Sequence, residues 1–354
     1  MTQKTCLICK KESPIISSFF GVCLECIRFR FKKALPYIQK AHEKSRAFFN
    51  LPSSIPAEVG GKDCTLCALN CKIGEGRFGY CGLKKNNKGF ILGLDARYAK
   101  VSWYLDPLPT NCVADWICPG SKKENRGNLN LAVFFHACNL NCLYCQNWHF
   151  RELTHTSKWI HVEEMLKALN DRVFCVCFFG GDPSPQVHFA IKFSQKALQK
   201  KKNLLICWET NGLFSKRFLK SVIQISLDSG GIIKFDLKAF SKEVHLALTG
   251  YDNEIILENF AEVAKYFNQR KDVPLLTAST PLVPGYIDER EVEGIAKFIA
   301  NLNPEIPYRL LAFYPHFYMR DLPKTSREFA LKALEIAKKV GLKKVSLGNI
   351  HLLL

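Results

Sequence analysis

Three cysteines in the segment ACNLNCLYCQNW carry the clearest chemical signal in this chain. Cys138, Cys142 and Cys145 have the spacing C-x3-C-x2-C, and they follow an apolar run, residues 129–137, that predicts a buried strand. Three thiolates at this short spacing cannot complete a shell of four. A cubane iron–sulfur cluster that is held by three cysteines therefore keeps one iron open to an outside ligand. The spacing predicts a cluster that binds a small molecule directly.

The elements that must position this loop are predicted by the pattern of residues 129–354. Short apolar runs alternate with longer amphipathic ones, which indicates βαβ units and a parallel sheet covered by helices. The predicted strands are 130–136, 174–179, 204–209, 232–236, 274–280, 308–313 and 343–347. The predicted helices are 161–170, 185–200, 214–225, 240–249, 253–268, 288–301 and 325–340, with Asp288 and Thr325 as N-caps. Six or seven such units fit an α/β fold of the partial (β/α)6 TIM-like barrel type, with active residues at the carboxyl ends of the strands.

Polar residues follow most of these strands. After the second strand, Gly180 and Gly181 let the backbone approach a ligand closely and supply free N–H groups, and Asp182 can accept from an ammonium group. The other candidates are Glu209 and Asn211 after the third strand, Asp236 and Lys238 after the fourth, and His316 after the sixth. Each alone has a structural alternative, such as a turn, a cap or a packed histidine. Their joint placement predicts an active site at the cysteine loop.

These residues carry a resemblance to a known family. The strings CLYCQNW, FFGGDPSPQ, WETNGL, KFDLKAF, TPLVPGYID and LGNIHLL resemble the radical S-adenosylmethionine (SAM) superfamily, in the branch of the pyruvate formate-lyase activating enzyme. They are closer still to radical SAM proteins of AmmeMemoRadiSam systems and to archaeal relatives of unassigned substrate. The resemblance covers about two thirds of the chain and extends weakly to CTLCALNCKIGEGRFGYCG.

The resemblance implies a role for each matched residue. Cys138, Cys142 and Cys145 would hold a [4Fe–4S] cluster, and the segment 180–182 matches the family's Gly-Gly-Glu, which contacts the SAM amino group, with a shorter acid here. The other implied SAM neighbours are Tyr144 beside the adenine, Glu209 and Asn211 on the ribose side, and Asp236, Lys238 and His316. The implied chemistry is reductive cleavage of SAM to a 5′-deoxyadenosyl radical, which abstracts hydrogen from a substrate. The implied partner is an electron donor of the flavodoxin or ferredoxin type.

A second set of cysteines lies in residues 1–50. Cys6, Cys9, Cys23 and Cys26 have the pattern C-x2-C-x13-C-x2-C, which fits a tetrahedral site and most simply zinc, with an iron site or no metal as alternatives. Thirty residues cannot bury much core, so a metal would be needed to fold them. Residues 27–50 predict a basic helix interrupted by Pro36. A ribbon with a basic helix resembles a docking module, or it only caps the barrel.

Residues 51–128 are predicted to contain a linker, 51–61, and a third set of cysteines. Cys64, Cys67, Cys71 and Cys81 could ligate an auxiliary iron–sulfur cluster or a second zinc. Residues 101–128 are predicted to be irregular, and their Cys112 and Cys118 could be ligands, a substrate-facing thiol pair or inert. Cys175, Cys177 and Cys207 lie within predicted strands, where a cysteine acts as a small hydrophobe.

Composition limits the remaining classes. The chain has 354 residues, 16 cysteines and a net charge of +18, with no apolar run long enough for a membrane span and no signal peptide at the start. We therefore expect a cytoplasmic protein whose thiols stay reduced. The positive charge would attract RNA or an acidic protein, unless it is only a lysine-rich surface.

The sequence thus predicts a radical SAM enzyme with an unidentified substrate, which the charge suggests is RNA or protein. The first alternative is an activase of a glycyl-radical enzyme. The others are a basic nucleic-acid-binding protein without catalysis and a structural zinc protein, and the intact Cys138, Cys142 and Cys145 argue against both.

Overall fold

The amino-terminal part of the chain consists of short strand pairs and two helices. The computed structural model describes residues 2–110 and 112–354. The first elements are β1 (Lys4–Thr5), β2 (Glu12–Ser13), α1 (Leu24–Phe29), α2 (Phe31–Ala47), β3 (Lys62–Asp63), β4 (Lys72–Ile73), β5 (Lys85–Asn87), β6 (Phe90–Leu92) and β7 (Tyr98–Ala99). The pairs β1–β2, β3–β4 and β5–β6 are antiparallel hairpins. The first two hairpins carry cysteines of the two amino-terminal sets in their loops.

Helix α2 continues through Pro36, so the predicted interruption at this residue is wrong. The chain bends earlier, at Arg30, whose φ of −133° and ψ of 37° separate α1 from α2. Pro36 is exposed, so water can hydrate the carbonyl that its missing N–H leaves unpaired. The buried residues of α2, which include Ala34, Ile38 and Ala41, recur at helical spacing and hold one face against the rest of the fold.

The remaining elements build an eight-stranded sheet and its helical cover. They are β8 (Val101–Pro107), β9 (Leu129–Phe135), α3 (Phe150–Thr156), β10 (Ile160–His161), α4 (Val162–Leu166), β11 (Val173–Gly180), α5 (Val187–Lys200), β12 (Leu205–Thr210), α6 (Lys216–Ser229), β13 (Ile233–Asp236), α7 (Lys242–Thr249), α8 (Glu254–Ala264), β14 (Leu276–Leu282), α9 (Glu289–Leu302), β15 (Tyr308–Ala312), α10 (Arg327–Lys339) and β16 (Val345–Gly348). The sheet has the order β16-β15-β14-β13-β12-β11-β9-β8. Seven strands are parallel, and β8 pairs antiparallel with β9. The small strand β10 pairs with β7 outside this sheet.

The predicted partial barrel is confirmed, with one parallel strand more than the six of the (β/α)6 description. Each of the seven predicted strands occurs, with its ends displaced by at most two residues. The strand β8 lies in the stretch that was predicted to be irregular, and this expectation is wrong. It is an edge strand with several exposed side chains that ends at Pro107, so it lacks the continuous apolar run of the parallel strands.

One of the two predicted helix caps is correct. Asp288 Oδ1 accepts from the N–H of Glu291 at 3.2 Å and begins α9. At α10 the cap is Ser326 instead of Thr325. Thr325 is buried, where its hydroxyl donates to Leu282 O and accepts from Phe313 N–H, both at 2.8 Å. It therefore ties the ends of two strands together. Among the helices that the structure describes, none combines the length and apolarity that crossing a bilayer requires.

Candidate active site

The predicted site residues meet around one cavity at the carboxyl ends of the strands. The cavity has a volume of about 450 Å³, within the usual range for small-molecule sites. Of the residues selected from the sequence, those that line it are Cys138, Cys142, Tyr144, Cys145, Gly180, Gly181, Asp182, Glu209, Asn211, Asp236 and Lys238. Parallel strands bring their carboxyl ends to one edge of a sheet, which accounts for this convergence.

In the cysteine loop, residues 138–145, Cys142 is buried, and Cys138 and Cys145 are half-buried. Burial raises the pKa of Cys138 well above its ordinary value and raises the pKa of Cys142 to about 11. Both are therefore neutral unless a metal cation compensates the thiolate charge. Cys138 Sγ accepts from the N–H of Leu140 at 3.3 Å and from Asn211 Nδ2 at 3.6 Å. Donors of this kind stabilise a sulfur that ligates a metal.

The separation of these thiols favours a cluster over a single ion. In residues 2–110 and 112–354, a single group of three or more metal-ligating side chains has all its ligand atoms within 4.8 Å of one another. That group is the amino-terminal set of cysteines. The thiols of the cysteine loop form no such group, so at least one pair of them is more than 4.8 Å apart, and all three residues line a shared cavity. Thiolates on separate irons are spaced more widely than thiolates on one ion. The residues present therefore fit a three-cysteine iron–sulfur cluster.

Three separate elements hold the cysteine loop in place. From α2, His42 Nδ1 accepts from Asn141 Nδ2 at 2.8 Å, and the hydroxyl of Ser45 donates to Asn141 Oδ1 at 3.3 Å. The last carbonyls of α7 accept from the loop, from Asn141 N–H at 2.7 Å and from Leu143 N–H at 3.0 Å. Tyr318 N–H donates to Leu143 O at 3.0 Å. The amino-terminal helix is therefore part of the wall that positions the three thiols.

The two glycines after β11 serve packing, and the expectation that their segment supplies free N–H groups is wrong. The N–H of Gly181 donates to Phe135 O at 2.9 Å, and the N–H of Asp182 donates to Ala137 O at 2.8 Å. A Cβ on Gly181 would lie 2.1 Å from Ala137 O, and one on Gly180, whose φ is +94°, would lie 2.5 Å from Phe135 N. Glycine is required because the backbone just before Cys138 approaches so closely.

Asp182 is a buried acceptor whose hydrogen bonds come from the protein itself. Its Oδ1 accepts from Ser184 N–H at 2.8 Å and from the Ser184 hydroxyl at 2.5 Å, and its Oδ2 accepts from Asn211 N–H at 2.6 Å. The hydroxyl of Thr210 donates to both oxygens, at 3.2 and 3.1 Å. Burial raises the pKa of Asp182 to about 6 despite these donors. The carboxylate thus joins the ends of β11 and β12, besides facing the cavity.

Asp236 at the end of β13 and Lys238 just after it form an ion pair. Lys238 Nζ lies 3.2 Å from Asp236 Oδ2, and Asp236 Oδ1 accepts from the Ser279 hydroxyl at 2.6 Å. Burial opposes the charge on Lys238, but Asp236 raises the pKa of Lys238 well above its ordinary value. Burial likewise opposes the charge on Asp236, but the neighbouring Lys238 keeps the pKa of Asp236 below its ordinary value. Both groups stay charged in the cavity wall.

Glu209 has two partners that the sequence analysis did not identify. It forms a buried ion pair with Lys234 of β13, and Cys112 Sγ donates to Glu209 Oε1 at 2.9 Å. The ammonium group of Lys234 also lines the cavity. Its signal in the sequence is a lysine two residues before Asp236 within an apolar strand, because residues at this spacing share one face of a strand.

Tyr144 and His316 have different positions relative to the cavity. Tyr144 is buried in its wall, and its hydroxyl has no partner among the described residues. A buried hydroxyl without a partner is costly, so this group fits a site for a polar ligand. His316 lies outside the cavity lining, where its Nε2 accepts from Trp148 Nε1 at 3.1 Å. The structure therefore gives no support to a direct ligand contact of His316.

The amino-terminal cysteines form a compact four-thiol group. Cys6, Cys9, Cys23 and Cys26 have all their sulfurs within 4.8 Å of one another. The separations are 3.6 Å for Cys9–Cys23 and 3.8 Å for Cys6–Cys26. Although burial acts in the opposite direction, backbone N–H groups lower the pKa of Cys6 to about 6. Four converging thiols with a stabilised thiolate can hold one metal ion.

The next set of cysteines is buried beside the cysteine loop. Cys64 N–H donates to Cys71 O at 2.9 Å, and Ala68 N–H donates to Leu213 O at 3.0 Å, so this segment docks after β12. Asn139 Nδ2 donates to the same Leu213 carbonyl at 3.3 Å. Metal ligation by this set, which is Cys64, Cys67, Cys71 and Cys81, stays a prediction.

Five further cysteines meet at the base of the barrel. Cys175, Cys177 and Cys207 are buried in β11 and β12, as expected for structural residues. Cys112 and Cys118 pack against them around a small cavity of about 20 Å³. The segment that follows β8 thus fills the lower end of the barrel, and Arg309 fixes it through the carboxylate of Asp115.

Comparisons with known proteins agree with this site. Residues 132–299 match the model of the radical SAM superfamily. A protein of Methanocaldococcus jannaschii, provisionally named as a glycyl-radical enzyme activating enzyme, is 28% identical over 217 residues, which are 59% of this chain and 77% of that protein. The pyruvate formate-lyase 1-activating enzyme of Escherichia coli K12 is 30% identical over 168 residues, which are 46% of this chain and 64% of that enzyme.

A solved structure adds a comparison of lower overall similarity. It is a domain of a pyruvate-formate lyase-activating enzyme from Bacteroides vulgatus, at 26% identity and a TM-score of 0.41, covering 49% of this chain and 98% of that one. The family match runs from β9 to α9 and includes the cysteine loop, with its three thiols around the cavity. This chain therefore contains a domain of the radical SAM superfamily, and the protein is an enzyme of that class.

Proposed function

We propose that Cys138, Cys142 and Cys145 hold a [4Fe–4S] cluster next to bound SAM, and that the enzyme abstracts hydrogen from a protein substrate. The observation that carries this proposal is the shared cavity. The three thiols face the same space as the segment 180–182 and the charged pair of Asp236 and Lys238. The buried Tyr144 hydroxyl in this wall has no hydrogen-bond partner in the part of the chain that the structure describes, as expected where a polar ligand binds.

When bound, the cluster and SAM supply a reductive cleavage that yields a 5′-deoxyadenosyl radical and methionine. The chain itself positions and shields these groups. Asp236 and Lys238 keep a charged wall on the β13 side, and the Tyr144 hydroxyl offers a hydrogen bond to a ligand. Asp182 fixes the ends of β11 and β12 against the cysteine loop. Apolar residues such as Leu140 and Phe313 line the same cavity and exclude water from it.

The identity of the substrate is inferred from charge and from the relatives. The chain carries 50 lysines and arginines against 32 aspartates and glutamates, which favours an acidic partner. The relatives are named for activating another enzyme, so a protein substrate is favoured over RNA. The second candidate function is the specific one in these names, activation of a glycyl-radical enzyme.

We also propose roles for the other cysteine sets and an electron donor. Zinc is the simplest ion for the four amino-terminal thiols, because their sulfurs lie within 4.8 Å of one another and four-cysteine sets of this spacing typically bind zinc. Cys64, Cys67, Cys71 and Cys81 would hold an auxiliary iron–sulfur cluster or a second zinc. The donor would be an acidic protein of the flavodoxin or ferredoxin type, which the positive charge of this chain attracts.

Anaerobic reconstitution with iron and sulfide tests the cluster assignment. The native chain should bind a cluster of about four irons and should cleave SAM to 5′-deoxyadenosine when reduced. Cys142→Ser should lose both properties. Cys175→Ser is the matched control, because Cys175 is buried but its sulfur contacts Asn130 Oδ1 at 3.5 Å, away from the cavity wall of the cysteine loop. Cleavage retained in Cys142→Ser would contradict the ligand assignment.

Deuterated cell extract identifies the class of substrate. Deuterium should appear in 5′-deoxyadenosine when the reconstituted enzyme meets its substrate. Prior protease treatment of the extract should abolish this transfer, and ribonuclease treatment should leave it intact. Loss of transfer after ribonuclease alone would show that the substrate is RNA and that the proposed protein substrate is wrong.

A further inference from the structure

Two arginines are buried beside the cysteine loop without an acidic partner. Arg46, on α2, has 0% of its surface exposed, and Arg151, on α3, has 2%. In the described parts of the chain, no carboxylate oxygen lies within 4.0 Å of either guanidinium group. A buried charge without a counter-charge destabilises the folded state, because the desolvation of the ion is not compensated. Two of them in one place require an explanation.

The neutral groups around both guanidinium groups compensate the cost of burying their charge only in part. The guanidinium of Arg46 stacks 3.5 Å above the ring centre of Tyr80 and donates to the carbonyls of Pro52 and Tyr80. Within residues 2–110 and 112–354, Nη1 of Arg46 has no hydrogen-bond partner, and neither has Nε of Arg151. Arg151 lies among three aromatic rings, those of Phe49, Phe150 and Phe317, at 5.0–6.0 Å from their centres. Cation–π contacts offset part of the cost of burial but do not neutralise the charge.

The position of the two cations points to the metal site. Arg151 lines the cavity together with the three thiols. Arg46 lies one helical turn after His42 and next to Ser45 on α2, and the side chains of these two residues bond Asn141 of the cysteine loop at 2.8 and 3.3 Å. Both guanidinium groups therefore lie on the side of the cysteine loop.

A cluster held by three thiolates would supply the negative counter-charge that is missing beside these arginines. Such a cluster is negative, and one-electron reduction makes it more negative, so nearby buried cations favour the reduced form. SAM alone is a weaker explanation. Its carboxylate could meet Arg151 in the cavity, but Arg46 is not part of the cavity wall. The anion that both groups can reach lies on the side of the cysteine loop.

We propose that Arg46 and Arg151 are positioning cations that compensate the negative charge of the iron–sulfur cluster and raise its reduction potential. This inference rests on the proposed function, and it assigns the amino-terminal helix a part in setting that potential. The helix that carries Arg46 also contacts the cysteine loop through His42 and Ser45. The amino-terminal region is then more than a cap on the barrel.

An EPR-monitored redox titration of the reconstituted full chain, without SAM, tests this proposal. Arg151→Gln and Arg46→Gln should each shift the reduction equilibrium at least tenfold towards the oxidised cluster, which lowers the midpoint potential by about 59 mV for one electron. Arg46→Lys keeps the charge and should remain close to the native potential. Lys40→Gln removes one exposed positive charge from the same helix and should leave the potential unchanged.

The outcomes separate this inference from the proposed function. A native chain that takes up no iron and sulfide contradicts the proposed function itself. If the native chain holds a cluster but the arginine variants have the same midpoint potential as Lys40→Gln, this inference alone is contradicted. The same holds if Arg46→Lys lowers the midpoint potential as much as Arg46→Gln does. Unchanged potentials with weaker SAM binding would identify the SAM carboxylate as the anion and overturn the proposal. If Arg46→Gln does not fold, the difference in midpoint potential between Arg151→Gln and Lys40→Gln tests the proposal.

Discussion

Asn141 in the cysteine loop donates to Nδ1 of His42 on α2 at 2.8 Å, across 99 residues of sequence. His42 Nε2 lies 3.1 Å from the carbonyl of Ala247, so Nε2 carries the proton and Nδ1 accepts. Burial lowers the pKa of His42 to about 4, which keeps the ring neutral and this arrangement intact near pH 7. A histidine from the amino-terminal region thereby fixes the residue that precedes Cys142.

Loss of this histidine should loosen the cysteine loop. His42→Ala leaves the Asn141 amide buried without its acceptor, which costs about 1–3 kcal/mol. We expect the variant to fold but to retain less iron than the native chain after gel filtration under anaerobic conditions. Glu43→Ala, at the exposed neighbouring position of the same helix, is the control. Equal iron retention in both variants would show that α2 does not support the loop.

Replacement of Gly181 should displace the start of the cysteine loop. A Cβ at this position meets Ala137 O at 2.1 Å, so the backbone before Cys138 must move. We expect Gly181→Ala to lower the free energy of unfolding by about 2–4 kcal/mol and to reduce the iron content. Gly120→Ala, whose Cβ would meet side-chain atoms alone, Leu108 at 3.3 Å and Cys118 Sγ at 3.5 Å, should change neither. Native behaviour of Gly181→Ala in denaturant titrations would refute the packing role.

The amino-terminal metal should stabilise the fold without taking part in SAM cleavage. Cys9→Ala removes one of four converging thiols, so the variant should bind one metal ion fewer and melt at a lower temperature. Uncoupled cleavage of SAM should persist in the protein that remains folded. Metal analysis, thermal unfolding and 5′-deoxyadenosine assays check these outcomes. Complete loss of cleavage in a folded variant would instead indicate that this site transfers electrons.

Acid should destabilise the fold partly through His245. Burial lowers its pKa from 6.5 to about 4, and its Nδ1 lies 2.7 Å from the carbonyl of Tyr251. A histidine with a depressed pKa contributes stability above its unfolded pKa and loses it as the pH falls through the folded pKa. The loss between pH 6.5 and about 4 is about 3 kcal/mol.

A variant isolates this contribution from those of the other buried histidines. His245→Asn keeps a donor near Nδ1 but does not titrate in this range. Its free energy of unfolding, measured in urea at several pH values, should fall less steeply between pH 6.5 and 4 than that of the native chain. Parallel pH profiles for the two proteins would rule out the assignment to His245.

The strand pattern and the cysteine spacing were sufficient to predict the barrel and most of its cavity wall. Residues at the ends of parallel strands must converge, so Asp236 and Lys238 could be predicted beside the cysteine loop from the sequence alone. Their spacing of two is compatible with side chains on one side of the chain, but their ion pair is seen only in the structure. The prediction for Gly180 and Gly181 had the correct location but the wrong reason, since sequence does not show which N–H groups the fold itself uses.

The contacts of the amino-terminal region could not be predicted in the same way. His42 and Arg46 lie on a basic helix whose spacing shows which face is buried but not what that face contacts. Arg151 gave no signal, because an arginine after a metal-binding loop is usually a surface residue. These residues reach the cysteine loop only through tertiary packing, which brings α2 and α3 against it.

The EPR spectrum of the reduced cluster, recorded with and without SAM, tests the central claim most directly. A cluster held by Cys138, Cys142 and Cys145 alone leaves one iron for the SAM amino and carboxylate groups. We predict that SAM changes the g-values of the native protein's signal, and that Cys142→Ser gives no such signal. A spectrum that SAM leaves unchanged in the native protein would show that every iron is already ligated by the chain, and would contradict the account.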